Sequence, residues 1–222
     1  MIKIFRKTIF LLILLNAVCF ADEFKYKWSS YTTYFRQDID ERDNNIKVAA
    51  RYLDGKILIP KIIFSFNDEV TDKISEDELG TASTIVGDKR VLGIGGGLCQ
   101  VSSTLYAAAL YAGLSIVERK SHSELISYIP PGLDATVSMN DGVDLKFYNP
   151  YGCNLIIKAS VEGGSLTVAI YGTKPRVRDI KILVSKPVKK EQFLYTTTTR
   201  TVFSSGKELF SEIVSMDKYL TQ

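Results

Sequence analysis

Residues Gly93 to Gln100, GIGGGLCQ, set four glycines ahead of a cysteine, and VSSTLYAAALYAGL follows directly. Such a run can only be a tight loop, because glycine enters backbone conformations closed to other residues and brings no side chain to pack. The residues after it fix the loop's other end. Leu98, Val101, Leu105, Ala108 and Ala112 recur at steps of three and four, one apolar face of an amphipathic helix that Gly113 can stop. Cys99 therefore falls on the first helical turn, where unpaired amides and the positive end of the helix dipole favour a thiolate and can also hold an oxyanion. Glycines 93, 95, 96 and 97 would also let a substrate lie against the backbone. The plainer reading of the segment is a buried structural cysteine beside a loop.

His122, in ERKSHSELISYIPPGLDATV, is the one histidine in the chain. A cysteine nucleophile needs a base that takes the thiol proton and later protonates a leaving amine, and neutral imidazole does both near pH 7. Asp134, just past the Pro130-Pro131-Gly132 turn, can accept the other imidazole N–H and fix the ring. Ala135, Thr136 and Val137 after it read as a strand. Taken singly, the histidine is an ordinary surface group and the aspartate a turn residue; their order after Cys99 makes them a candidate set.

The motifs GGGLCQVSSTLYAAAL, ERKSHS, YIPPGLDATV and a hairpin ending in LTVAIYG, with IIFSFN at 62–67 upstream, resemble the VanW family over roughly Tyr31 to Gly172. The resemblance implies a bacterial cell-envelope protein, from a family first associated with glycopeptide resistance clusters. Some of its domains are assigned L,D-transpeptidase activity on peptidoglycan, with this motif's cysteine as nucleophile. One departure stands out: the family usually has Pro-Gly before FSFN, whereas this chain has Pro60-Lys61. If that position needs φ > 0, Lys61 strains the turn and the loop at 58–64 is expected to differ.

Lys3, Arg6 and Lys7 precede IFLLILL, and small or neutral residues around Cys19-Phe20-Ala21 offer a cleavage site, so residues 1–21 read as an export signal. The apolar run is short of the roughly 20 residues that span a bilayer; an uncleaved anchor, or lipidation at Cys19, are the minor readings. Without the signal, the chain carries 25 Lys and Arg against 25 Asp and Glu. Near-neutrality gives no support to nucleic-acid binding, and contact with a membrane is expected only through the signal segment if it stays uncleaved. In an exported protein, Cys99 and Cys153 can pair, which would leave no nucleophile. Cys153 lies at a strand entry where the family does not require cysteine, and reads as local packing. With one histidine and no CxxC pair, no metal-ligand set is present and no cofactor is expected.

Some 200 residues after the signal can bury one core. NNIKVAARYLDG has helical spacing through Ile46, Ala49, Ala50 and Leu53; DLKFYN alternates as a strand; LIIKASVEGGSLTVAIYG reads as a hairpin turning at Gly163-Gly164. The expected fold is α+β, an antiparallel β-sheet with one or two packed helices and the candidate nucleophile at a helix N-terminus. The organisation is signal 1–21, VanW-like domain 22–172 and a β-rich extension 173–222, with RDIKILVSKPV and TTTTRTVF as strands and the threonines on an edge strand.

The resulting expectation is a cysteine acyltransferase on peptidoglycan stem peptides, L,D-transpeptidase-like. Cys99 attacks, His122 moves protons and Asp134 orients His122. The amide of Cys99 and the loop Gly95, Gly96, Gly97, with the Gln100 side chain, stabilise the oxyanion. Ser102 and Ser103 are candidates for substrate contact that read more simply as solvated. Arg119 either meets a stem-peptide carboxylate or sits exposed at a strand end. The rivals are a non-catalytic module that binds cell-wall peptides through the same loop, and a hydrolase in which water replaces the acceptor amine.

Overall fold

A computed structural model describes residues 23–37, 40–86, 89–138 and 141–221; residues 1–21, expected to be an export signal, lie outside the described residues. In chain order the elements are β1 (Tyr26–Tyr34), α1 (Asp40–Leu53), β2 (Ile57–Leu58), β3 (Ile63–Ser65), α2 (Phe66–Glu69), β4 (Thr81–Val86), β5 (Lys89–Ile94), α3 (Leu98–Ala112), β6 (Ser115–Glu118), β7 (Lys146–Tyr148), β8 (Leu155–Glu162) and β9 (Ser165–Gly172). Then follow β10 (Asp179–Val184), β11 (Val188–Lys190), β12 (Phe193–Ser204) and β13 (Lys207–Leu220). The architecture is α+β with antiparallel pairing throughout the sheets, but the strands divide among several sheets rather than forming the single one expected. The orders are β1-β9-β8-β2, β3-β7-β6 and the hairpin β4-β5, while β12 is flanked by β10 and β11 on one side and β13 on the other.

Local sequence accounts for the elements that frame the site. Helix α1 starts ahead of the expected Asn44 and buries Ile46, Ala49, Ala50 and Leu53 as its spacing predicts. The β8–β9 turn pairs Glu162 with Ser165 across Gly163 and Gly164, both at positive φ, as a two-residue hairpin of primed type demands. Helix α3 ends at Gly113 (φ 78), whose amide reaches Ala109 O and Leu110 O. A Cβ there would also sit 2.3 Å from the Tyr151 hydroxyl.

Three expectations are corrected. Helix α3 is not amphipathic: it packs against β1, β9, α1 and β10, and its polar residues Gln100, Ser102, Ser103 and Thr104 are as buried as its apolar ones. Such burial is tolerable because each hydroxyl is bonded, Thr104 to Gln100 O at 2.6 Å and Ser102 to Ala135 O at 2.7 Å. The segment Ala135–Val137 forms no strand; Thr136 makes an isolated bridge to Lys120, and Ser138 another to Val143. The threonine-rich strand β12 is interior, not an edge, with partners on both sides.

At the departure from the family pattern, Lys61 adopts φ 66 and its amide donates to Asn149 O at 2.9 Å. The loop thus holds the left-handed conformation with a lysine in place of glycine. The FSFN element at 64–67 is an anchor for Asp144 and β7. Ser65 donates to Asp144 Oδ2 at 2.6 Å, the Asn67 amide to Asp144 Oδ1 at 3.0 Å, and Phe64 stacks on Phe147.

Candidate functional site

The glycine loop enters α3 at Gly97, which takes φ 118 as the residue before the helix. Its position is set by α1: the Asn45 amide group donates to Gly80 O (2.9 Å) and Gly96 O (3.0 Å), and its oxygen accepts from the Gly80 amide (2.8 Å). Gly96 is pressed against β4, where a Cβ would come within 2.6 Å of Ser83 O. Gly96 therefore serves packing, while Gly95 and Gly97 line a cleft of about 550 Å³ with Cys99, His122, Arg42 and Tyr128. On the first turn, the Leu98 amide turns back to Gly95 O (3.1 Å) and the Gln100 amide to Gly97 O (2.9 Å). The Cys99 amide makes no backbone hydrogen bond among the described residues.

Cys99 and Cys153 are both half-buried and free, not bridged to each other. The Cys99 sulfur lies 3.5 Å from Val137 O and also interacts with the ring of His122. Nδ1 of His122 is 2.7 Å from Asp134 Oδ2, which leaves the Nε2 edge for Cys99. Burial of the imidazole opposes its charged form. The hydrogen bonds to Asp134 and Cys99 and the charges of both outweigh it, and the His122 pKa is pushed up to about 9. For Asp134, fully buried, desolvation is likewise the largest influence, yet His122 and Arg119 hold its carboxyl below the usual range. The structure brings Cys99, His122 and Asp134 together as the sequence anticipates.

Four other candidates land differently. Gln100 lines the cleft but its amide is committed: Nε2 donates to Thr33 Oγ1 (2.9 Å) and Tyr34 O (3.2 Å), and Oε1 accepts from Arg42 (2.7 Å). With both amide protons engaged, it orients Arg42 instead of serving an oxyanion. Ser102 and Ser103 are neither solvated nor in contact with the cleft through free hydroxyls. Both donate to Ala135 O, and Ser103 also bonds Cys99 O at 2.6 Å and accepts from the Ala135 amide at 2.9 Å. Arg119 is not exposed and does not face the cleft; it is buried behind Asp134, with Nε 2.6 Å from Asp134 O, Nη2 3.0 Å from Asp134 Oδ1 and Nη1 paired with Asp217.

Two cleft residues escaped the sequence reading. Arg42, on α1, lays its stem over Gly97 and its guanidinium toward Gln100 and Cys99. Desolvation is the largest influence on its pKa and lowers it, outweighing Tyr128, Asp43 and Cys99, which favour the charged form. Tyr128 stands edge-on to His122, ring centroids 6.5 Å apart, and bonds Ser103. Burial and the neighbouring Cys99 push its hydroxyl far up, so it stays a proton donor. A basic residue at a helix start and a tyrosine in ELISYIPP carry no spacing signal, which is why neither stood out. The described residues hold no group of three metal-ligating side chains.

The site can be set beside known proteins. A family model described as VanW like protein matches residues 41–171. The Uncharacterized protein YoaR of Bacillus subtilis (strain 168) is 41% identical over 143 residues, 64% of this chain and 47% of that protein. The Vancomycin B-type resistance protein VanW of Enterococcus faecalis (strain ATCC 700802 / V583) is 28% identical over 137 residues, 59% of this chain and 49% of that protein. The chain spans about half the length of these curated relatives. No solved structure matches it.

Proposed function

Because the chain belongs to the VanW family, we propose that it acts in the bacterial cell envelope, exported to the periplasm or wall, as a cysteine acyltransferase on peptidoglycan stem peptides. The reaction is of L,D-transpeptidase type. The observation that carries this reading is the continuous chain Asp134–His122–Cys99, with Nδ1 of His122 2.7 Å from Asp134 and the sulfur opening on a cleft.

In this mechanism the Cys99 thiolate attacks the carbonyl carbon of the L-configured centre of a tetrapeptide stem. The oxyanion so formed is met by the Cys99 amide. His122, as imidazolium, gives its Nε2 proton to the departing amine, and a D-amino acid leaves as the thioester forms. A second stem's amine then attacks the thioester. Neutral His122 takes the amine's proton, and the thiolate is released with the new amide bond. Asp134 keeps the imidazole in the tautomer and orientation both steps need.

Arg42 supplies the anchor. A partly buried guanidinium whose desolvation outweighs the charges around it is stabilised by a further anionic ligand, and its planar fork suits a carboxylate. The stem's free carboxylate would sit there, within reach of the attacked bond. The link to vancomycin resistance carried in the name of the E. faecalis relative is part of the proposal for this chain too.

The test is intact-mass spectrometry of the reduced protein and of Cys99→Ala after incubation with a disaccharide-tetrapeptide. An adduct on the wild type alone, with dimeric muropeptide in solution, supports the reading. Shortened monomer without dimer would make the protein a hydrolase. Binding without adduct or product would make it a peptide-recognition module.

A further inference from the structure

We infer that β13, beyond the residues the family model matches, is a working part of the site, with Tyr219 and Asp217 as positioning residues that set the charge Asp134 presents to His122. The inference rests on reading Cys99, His122 and Asp134 as one triad.

The four contacts of the Asp134 carboxylate divide cleanly between its oxygens. Oδ2 accepts the His122 backbone amide and faces Nδ1, both at 2.7 Å. Oδ1 accepts the Tyr219 hydroxyl at 2.6 Å and Arg119 Nη2 at 3.0 Å. Donors on Oδ1 draw negative charge away from the oxygen that faces the imidazole. Asp217 acts in the opposite sense: it engages Arg119 Nη1 and is itself held by Ser215 Oγ at 2.8 Å, so it competes with Asp134 for the guanidinium. The face of Tyr106, 5.0 Å from the Arg119 guanidinium, closes the cluster.

The hairpin is also fastened to the loops that carry both partners. Tyr219 Oη accepts from the Gly132 amide at 2.7 Å, and Thr198 on β12 donates to Gly132 O at 3.2 Å, two residues before Asp134. The Leu220 amide donates to Ser123 O at 2.7 Å, next to His122. A β extension serving only as cover would place apolar side chains here, because burying a carboxylate and a phenol costs free energy unless they are paired. Tyr219 and Asp217 are both buried, and both are directed at the Asp134 cluster.

The titratable groups facing the His122–Asp134 pair are Cys99 and Tyr106 from α3, Arg119 and Tyr128 from the loops, and Asp217 and Tyr219 from β13. Changing the last two tests the inference without substrate, since one histidine gives one imidazole signal in an NMR titration of the whole protein. Tyr219→Phe removes a donor from Oδ1 and is expected to raise the His122 midpoint by about half a pH unit. Asp217→Asn frees Arg119 for Asp134 and is expected to lower it by a similar amount, while Tyr195→Phe on β12 leaves it unmoved. The pH profile of Cys99 alkylation should move with each midpoint.

Opposite shifts are a signature that general loosening does not produce. Unmoved midpoints in both variants, or shifts of the same sign accompanied by a lower Tm, overturn the inference; if Tyr219→Phe does not fold, Asp217→Asn alone decides it. Opposite shifts in a protein that forms no thioester would uphold the positioning role and remove the acyltransferase reading. Thioester formation with an unmoved His122 would do the reverse.

Discussion

One oxygen of Asp134 serves two groups of His122: Oδ2 lies 2.7 Å from the backbone amide and 2.7 Å from Nδ1 of the same residue. The ring is therefore held relative to its own backbone, and its protonation is tied to folding. With the folded pKa pushed up to about 9 from 6.5, this contribution is fully present below pH 6.5 and is lost as pH rises through about 9. Denaturant unfolding between pH 6 and 10 should show stability falling by up to roughly 3 kcal/mol. Asp134→Asn should flatten that slope, and an unchanged slope would sink the linkage.

Cys99→Ser should leave the fold intact, with a stability change of about 1 kcal/mol or less, and abolish thioester formation. In a Cys153→Ser background, folded protein should be alkylated at Cys99 quickly at pH 7, and His122→Gln should slow the reaction at least about tenfold. Equal rates with and without His122 would separate the imidazole from the sulfur's reactivity.

Arg42→Gln should weaken binding of a tetrapeptide to Cys99→Ala protein by about 10- to 100-fold, the worth of a charge-assisted hydrogen bond. A stem amidated at its free carboxylate should bind both proteins alike. Calorimetric titration checks this, and a loss that persists with the amidated stem would mean that Arg42 serves packing.

Asn45→Ala removes the three hydrogen bonds that tie Gly80 and Gly96 to α1 and takes these partners from the buried Gly96 carbonyl and the Gly80 amide, while Gly80 O keeps the Gly95 amide. The expected cost is about 2–4 kcal/mol in urea unfolding, with faster proteolysis at the glycine loop. A cost under about 0.5 kcal/mol would show that β4 alone holds the loop.

Lys61→Gly should stabilise the protein by about 0.5–1 kcal/mol, because the relief of a left-handed lysine exceeds the added entropy of an unfolded glycine. Its NH₃⁺ lies 5.5 Å from the Tyr148 ring centroid, and a loss of stability would mean that this contact matters more than the backbone strain.

The parts of this molecule legible in sequence were those written in local spacing. Helix α3 and its glycine stop, the α1 face, the Gly163-Gly164 turn and the candidate order Cys99, His122, Asp134 all follow from neighbours along the chain. What escaped was polar burial. Ser102, Ser103 and Arg119 look like surface residues in a linear reading, since hydroxyls that bond carbonyls of their own helix turn, and an arginine that ends on two acids, leave no mark in the pattern. Arg42, Tyr128 and Tyr219 reach the site from separate elements, and nothing in a periodicity connects them. Asp144 was read only as part of a strand; its bonds to Ser65 and Asn67 place it in the anchor beneath.

The pairing of β1 with β9 joins Tyr26 to Gly172, and Trp28 reaches Lys174, 146 positions away, with its indole N–H. Contacts of such sequence separation form slowly, because loop closure is paid before any pairing rewards it. During synthesis β1 has no partner strand until β9 emerges, and its unpaired edge is open to wrong partners throughout that interval. Conditions that delay synthesis between α1 and β9 should therefore lower the yield of native protein more than delays after β9, whatever the stability of the finished fold.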